Sequence, residues 1–158
     1  MIVKCIKNKR EDLSAELLPN YDNNVNGQEI YMEIGQYFFV FGVSFREDVP
    51  WYLILEDETD DYPSPFSSGL FKIVDSSIPN DWHFCNQPFA AGIPCIIPKE
   101  WTTPLFYGHL LDGEEYAVKK FYEQKKIANN EIKKFLDKEK KKEKGALPFF
   151  RSTPFFKT

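Results

Sequence analysis

Glycine, histidine and cysteine are all scarce in this chain of 158 residues, at 8, 2 and 3 copies. No G-x-x-x-x-G-K or G-x-G-x-x-G run occurs, which excludes the loops whose backbone N–H groups cradle nucleotide phosphates. No G-x-S-x-G occurs either, and Ser67, Ser68 and Gly69 have the composition of an ordinary turn. Long apolar runs are also missing: none approaches the ~20 residues a membrane span requires. Residues 1–10 lack the apolar stretch and small-residue cleavage site of a secretory signal, so none is expected. An odd set of cysteines, Cys5, Cys85 and Cys95, without such a signal points to reduced thiols and a cytoplasmic location.

Aromatics and charge are what the chain does have. Phe, Tyr and Trp make up 16% of residues, beside 42% hydrophobic and 28% charged overall, a composition suited to one folded domain with a sizeable core. The net charge of −4 conceals an asymmetry. Residues 1–113 hold 17 acidic and 7 basic side chains; residues 114–158 hold 7 acidic and 13 basic. An acidic body repels phosphate backbones and is steered toward basic partners.

The order of patterns predicts an α+β fold: a strongly curved antiparallel β-sheet or small partly open β-barrel with one long C-terminal α-helix. The expected domain spans 1–145, with its sheet core at about 28–97 and its helix at about 114–144, followed by an aromatic tail at 146–158. Ile2 to Ile6 reads as a strand. A partly helical stretch follows to Leu18, where Pro19 should stop it, and Asn20 to Gly27 reads as a loop. Ile30, Met32 and Ile34 alternate with polar residues, and Gly35 with Gln36 turns the chain. Tyr37, Phe39, Phe41, Val43 and Phe45 then form an apolar row, with Phe38 and Val40 requiring cover on the other face. After a turn at Arg46 to Asp48, Val49, Trp51, Leu53 and Leu55 complete a three-stranded meander. Leu70 to Val74 is another short strand. Residues 76–113, with Pro79, Pro88, Pro94, Pro98 and Pro104, read as irregular apart from a strand at Ile93 to Ile97. From Glu114 the period becomes helical, with Val118, Phe121, Tyr122, Ala128, Ile132, Phe135 and Leu136 in one stripe that Lys125 interrupts. Asp137 to Lys144 has no apolar residue, so the helix outruns the body or frays there. The tail repeats Pro-Phe-Phe at 148–150 and 154–156.

Few groups offer chemistry. His83, Cys85, Cys95 and His109 are the only candidates for a soft metal site, but they lack the short paired spacings by which one turn presents two ligands. No metal and no cofactor is expected. A thiol nucleophile at Cys85 or Cys95 needs a histidine brought close by the fold. Asp57, Thr59 and Asp61 fall at calcium-loop spacing, yet Tyr62 stands where that loop needs glycine and no glutamate closes it. Glu29, Glu33 and Glu100 carry no specific signal of a carboxylate pair. Lys138, Lys140, Lys141, Lys142 and Lys144 alternate with acids and read as a solvated helix end rather than a nucleic-acid stripe.

Two features remain. Glu56, Asp57, Glu58, Asp60 and Asp61 place five carboxylates in six residues, and such a cluster repels itself until something neutralises it. Aromatics follow in the irregular chain, among them Tyr62, Phe66 and Trp82. Acids that steer beside aromatics that anchor make a protein-binding face for a basic partner.

Between Gly35 and Trp82 the sequence resembles bacterial immunity proteins of toxin–immunity pairs. The resemblance is carried by Gly35 to Tyr37, Phe41 to Ser44, Pro50 to Ile54, Leu70 to Asp75 and Ile78 to Trp82, about a third of the chain and none of it catalytic. It implies a curled antiparallel sheet and a non-catalytic role: binding a cognate toxin protein of sister cells and blocking its active site. The partner is expected to be a basic domain of nuclease type, with Glu56, Asp57, Glu58, Asp60, Asp61, Tyr62, Phe66 and Trp82 as the contact residues. Two other readings are a self-assembling or adaptor protein that docks its Pro-Phe-Phe tail, and a small cysteine hydrolase.

Overall fold

A computed structural model of the chain describes residues 1–25, 27–89 and 91–145. It is an α+β fold with two antiparallel sheets, neither closed into a barrel, and a long C-terminal helix. The three-stranded sheet has the order β2-β1-β6, from Ile2–Cys5 (β1), Tyr37–Phe39 (β2) and Phe71–Asp75 (β6). The five-stranded sheet has the order β5-β4-β3-β8-β7, from Gly42–Arg46 (β3), Val49–Ile54 (β4), Ser64–Ser67 (β5), Trp82–Cys85 (β7) and Cys95–Pro98 (β8). The helices are Leu18–Asn24 (α1), Phe106–Leu111 (α2) and Glu115–Gly145 (α3).

The long apolar row from Tyr37 to Phe45 is the hinge of this design. It is not one strand but two, because the backbone changes partner at its middle. Val40 N–H donates to the Met1 carbonyl at 3.1 Å and Phe41 N–H to the Leu53 carbonyl at 2.9 Å. The first half thus pairs with β1 in one sheet and the second with β4 and β8 in the other. Side chains on both faces are covered, as the run of consecutive apolar residues requires. Val3, Cys5, Phe38, Val40, Tyr52, Ile54 and Phe66 belong to one cluster; Ile2, Phe39, Phe41, Leu53 and Ile97 belong to the other. Gly42, at the start of β3, allows the sheet to close on the second cluster. A Cβ there would lie 2.7 Å from Ile97 Cγ2 and 3.3 Å from the Ile96 carbonyl oxygen.

Several expectations are corrected. Residues 28–34 are not a strand: only Met32 is buried, while Tyr31 and Ile34 are 72% and 58% exposed. The alternation there is real, but the segment has no ladder and is held by side chains, with Asn8 Nδ2 donating to the Met32 carbonyl at 3.0 Å. The meander is therefore β3-β4-β5, one element later than the pattern suggested. Its first hairpin turns on Glu47 and Asp48, both at positive φ (50° and 65°), between the paired Arg46 and Val49, as the primed two-residue hairpin turns require. Pro19 opens α1 instead of ending a helix, since a proline in the first turn forfeits no hydrogen bond. The extended segment after Tyr62 contains β5, and the irregular region contains β7 and α2.

The long helix begins where its period and charges place it, with Glu115 in its first turn and Lys142 and Lys144 in the last turn described. It lies against β2, α2 and the 3-10 turn Lys99–Trp101, and Ala117, Phe121 and Ala128 are buried. Tyr122, placed on the buried stripe by its spacing, is exposed, and Gln124 is buried instead. Beyond Asp137 the helix continues without apolar cover to Gly145, with Lys142 paired to Glu139 at 2.8 Å. The Pro-Phe-Phe tail lies outside the described residues. Among the described residues no helix is long and apolar enough to cross a membrane.

Candidate functional site: an acidic loop at the rim of a cleft

Glu56 to Asp61 form the loop that leaves β4 and returns as β5. Its acids do more than repel one another. Asp57 Oδ1 accepts from the Thr59 N–H at 2.8 Å and the Thr59 hydroxyl at 2.7 Å, and Asp60 Oδ2 accepts from the Asp57 N–H at 3.0 Å. These bonds hold the Asp57 carboxyl below the usual carboxylate range, the backbone N–H of Thr59 being the largest cause and its hydroxyl the next. Glu56 Oε2 accepts from the Tyr31 N–H at 2.8 Å. Partial burial nevertheless raises its pKa, and that bond offsets the rise only in part.

Lys125 ties the loop to the helix. Its ammonium donates to the carbonyl oxygens of Glu58 and Asp60 and lies over the rings of Phe121 and Tyr122, 5.9 and 5.7 Å from their centroids. The lysine that interrupts the apolar stripe is thus the loop's clamp, with its stem laid along aromatic surface. At the far end of the loop Tyr107 Oη donates to the Pro63 carbonyl at 2.7 Å, and burial raises the pKa of this phenol.

Loop and helix face each other across an open cleft of about 830 Å³. Its apolar floor includes Tyr37, Phe39 and Phe41 of the divided row with Leu55 and Ile132. Glu56, Asp57 and Glu58 stand on one side, and Lys125, Lys133 and Lys140 of α3 on the other. Glu58 and Asp61 are exposed, and their carboxylates make no hydrogen bond among the described residues.

The eight residues expected to act together fall into three places. Glu56, Asp57, Glu58, Asp60, Asp61 and Tyr62 share the loop, with Tyr62 exposed. Phe66 is only 3% exposed, opposite Tyr52 on β4, so it is core and no contact anchor. Trp82 is half-buried on β7, at the opposite edge of the five-stranded sheet from β5, and packs on the first cluster. Lys125 and Tyr107 join the site only through the fold. For Lys125 there was a signal, a lone cation in an apolar stripe; for Tyr107 there was none.

The four soft-metal candidates do not converge. Cys85 and Cys95 are cross-strand partners with their sulfurs 3.6 Å apart. His83 Nδ1 bonds to the Asp81 carbonyl at 2.8 Å, and His109 on α2 bonds to the Tyr116 hydroxyl. Neither imidazole hydrogen-bonds a thiol, and no group of three or more metal-ligating side chains forms among the described residues. Compared with protein-family models, curated proteins and solved structures, the chain matches none.

Proposed function

We propose that this chain is a non-catalytic immunity protein of the cytoplasm that binds a cognate toxin protein, a basic domain of nuclease type, and covers its active site. The observation that carries this reading is the exposed acidic loop, with Glu58 at the rim of a cleft and Asp61 exposed further along the same loop, on a body of 17 acids and 7 bases over residues 1–113. A nuclease groove is basic because it must hold phosphates, and an acidic loop can occupy it in their place. The loop is also built for the task, since Asp57 and Asp60 spend their carboxylates on its own backbone and Lys125 clamps it. A surface shaped before the encounter loses less entropy on binding. Tyr62 would anchor beside the charges. The hydrolase reading is less supported, with both imidazoles bonded elsewhere than to a thiol.

The test is capture with the tagged chain from its own cells, followed by a nuclease assay of the captured protein. A basic partner whose nuclease activity the wild-type chain suppresses supports the reading. E58Q with D61N, which spare the loop's own hydrogen bonds, should slow association by about tenfold at low salt and flatten its salt dependence, as loss of steering charge does. Capture of no partner, or of one whose activity the chain leaves unchanged, overturns it.

A further inference from the structure

Cys85 and Cys95 stand directly opposite each other on the antiparallel strands β7 and β8. Directly opposed residues in such a pair have Cα atoms about 4.5 or 5.5 Å apart, and both spacings lie within the 4.4–6.8 Å that a disulfide spans. The two sulfurs are already 3.6 Å apart, so side-chain rotation without backbone movement can bring them to bonding distance. The two thiols differ in access. Cys85 is half-buried on the edge strand β7, whereas Cys95 is wholly buried on β8. The remaining thiol, Cys5, is buried on β1 in the other sheet.

We infer that Cys85 and Cys95 are a dithiol modification site, closed to an intramolecular disulfide by exchange with a small-molecule disulfide, and that the bond staples edge strand β7 to the sheet. In the first step the Cys85 thiolate attacks one sulfur of the small disulfide, forming a mixed disulfide and releasing one small thiolate. In the second Cys95 loses its proton and attacks Cys85 Sγ, forming the Cys85–Cys95 bond and releasing the second small thiolate. Two protein thiols are oxidised and one small disulfide is reduced to two thiols. Burial raises the pKa of Cys95, so the half-buried Cys85 attacks first and the wholly buried Cys95 resolves. Because β7 has only β8 as a neighbour in its sheet among the described residues, the crosslink acts at a sheet edge. This inference does not depend on the function proposed above.

The experiment exposes the folded, reduced full chain to oxidised glutathione at neutral pH, quenches with acid, then denatures and alkylates for mass spectrometry. Wild type should lose two hydrogens, keep only Cys5 open to alkylation and yield a peptide joining Cys85 to Cys95. C5S should do the same. C95S should stop at a glutathione adduct on Cys85. Hydrogen exchange of β7 amides should slow at least tenfold on oxidation. A wild-type chain that halts at the Cys85 adduct, or keeps both thiols open while the denatured chain closes, overturns the assignment. So does a crosslinked chain in which β7 exchange is unchanged, for the stapling part.

Discussion

The two faces of the sheets are covered by different means. The second cluster, around Phe39, Phe41, Leu53 and Ile97, is capped by α2 and α3, which supply Phe106, Leu110, Ala117, Phe121 and Ala128. The first, around Val3, Phe38, Tyr52 and Phe66, is capped by residues 13–25 and 27–32, where Leu13, Tyr21 and Met32 reach inward and, among the described residues, the short α1 is the one α-helix. A helix satisfies its own backbone and needs only an apolar stripe to dock. The first cover adds hydrogen bonds to its packing, and asparagine side chains make them. Asn20, 7% exposed, accepts from Trp51 Nε1 at 3.0 Å and donates to the Arg46 carbonyl at 2.7 Å, while Asn8 reaches the Met32 carbonyl. One cover is held by shape and area, the other by area together with a few obligatory hydrogen bonds.

The sharpest way to break the helical side is Phe121→Ala. Phe121 is fully buried, within 6.3 Å of Phe41 and Trp101 ring to ring. Removing a buried phenyl costs about 3–5 kcal/mol, a large part of a domain's stability. Urea unfolding should register that loss in the midpoint. A cost under about 1 kcal/mol would mean that α3 is a detachable flap and not half of the core.

On the irregular side the corresponding change is Asn20→Ala, which removes few atoms but leaves the Trp51 indole N–H and the Arg46 carbonyl without their partner. The Trp51 indole N–H is the buried orphan, and one such orphan costs about 1–3 kcal/mol, so the loss should be about 1–3 kcal/mol. The double variant with Trp51→Phe should show coupling of at least about 0.5 kcal/mol, since one shared bond is lost in either single variant. Strict additivity would show that area alone holds this cover, and the contrast with the helical face would fall.

The same contrast explains which elements could be read from the sequence. Glu115–Gly145 was legible because a helix writes its own period into the chain, and β4 as an apolar strand, although Trp51 and Leu53 of its one apolar row pack in different clusters and Trp51 to Ile54 are all buried. Tyr37 to Phe45 was legible as buried on both faces but not as two strands. The change of partner at Val40 and Phe41 is made by the backbone of Met1 and Leu53, which leaves no mark on the side chains of the row itself. Residues 28–34 alternate like a strand because Met32 must point inward, a demand that a loop pinned by Asn8 meets equally well. The acidic loop was found by composition, and its place at a cleft was not, since that depends on Lys125 crossing 65 residues of sequence to the Asp60 carbonyl. The burial of Phe66 was hidden for a related reason. Sequence places an aromatic near a loop, but only pairing with Tyr52 puts Phe66 inside.

The smallest effect distinguishes the two covers by strain. Leu105, the residue that leads into α2, has φ +58° and a side chain 48% exposed. An L-residue in this left-handed conformation carries about 1–2 kcal/mol of steric cost, and Leu has no polar side chain to offset it. Its N–H is used, donating to the Gln87 carbonyl at 3.0 Å, so the turn is fixed by the fold rather than chosen by the residue. Leu105→Gly removes the steric cost and gives up little burial, while glycine's extra freedom in the unfolded chain takes back about 0.5–1 kcal/mol. The net expectation is a gain of up to about 1 kcal/mol, read as a rise in Tm of a few degrees for a chain of this size. A clear loss instead would mean that the half of Leu105 that is covered contributes more to the helical face than its backbone costs. The helical cover would then rest on its entry turn as well as on its stripe.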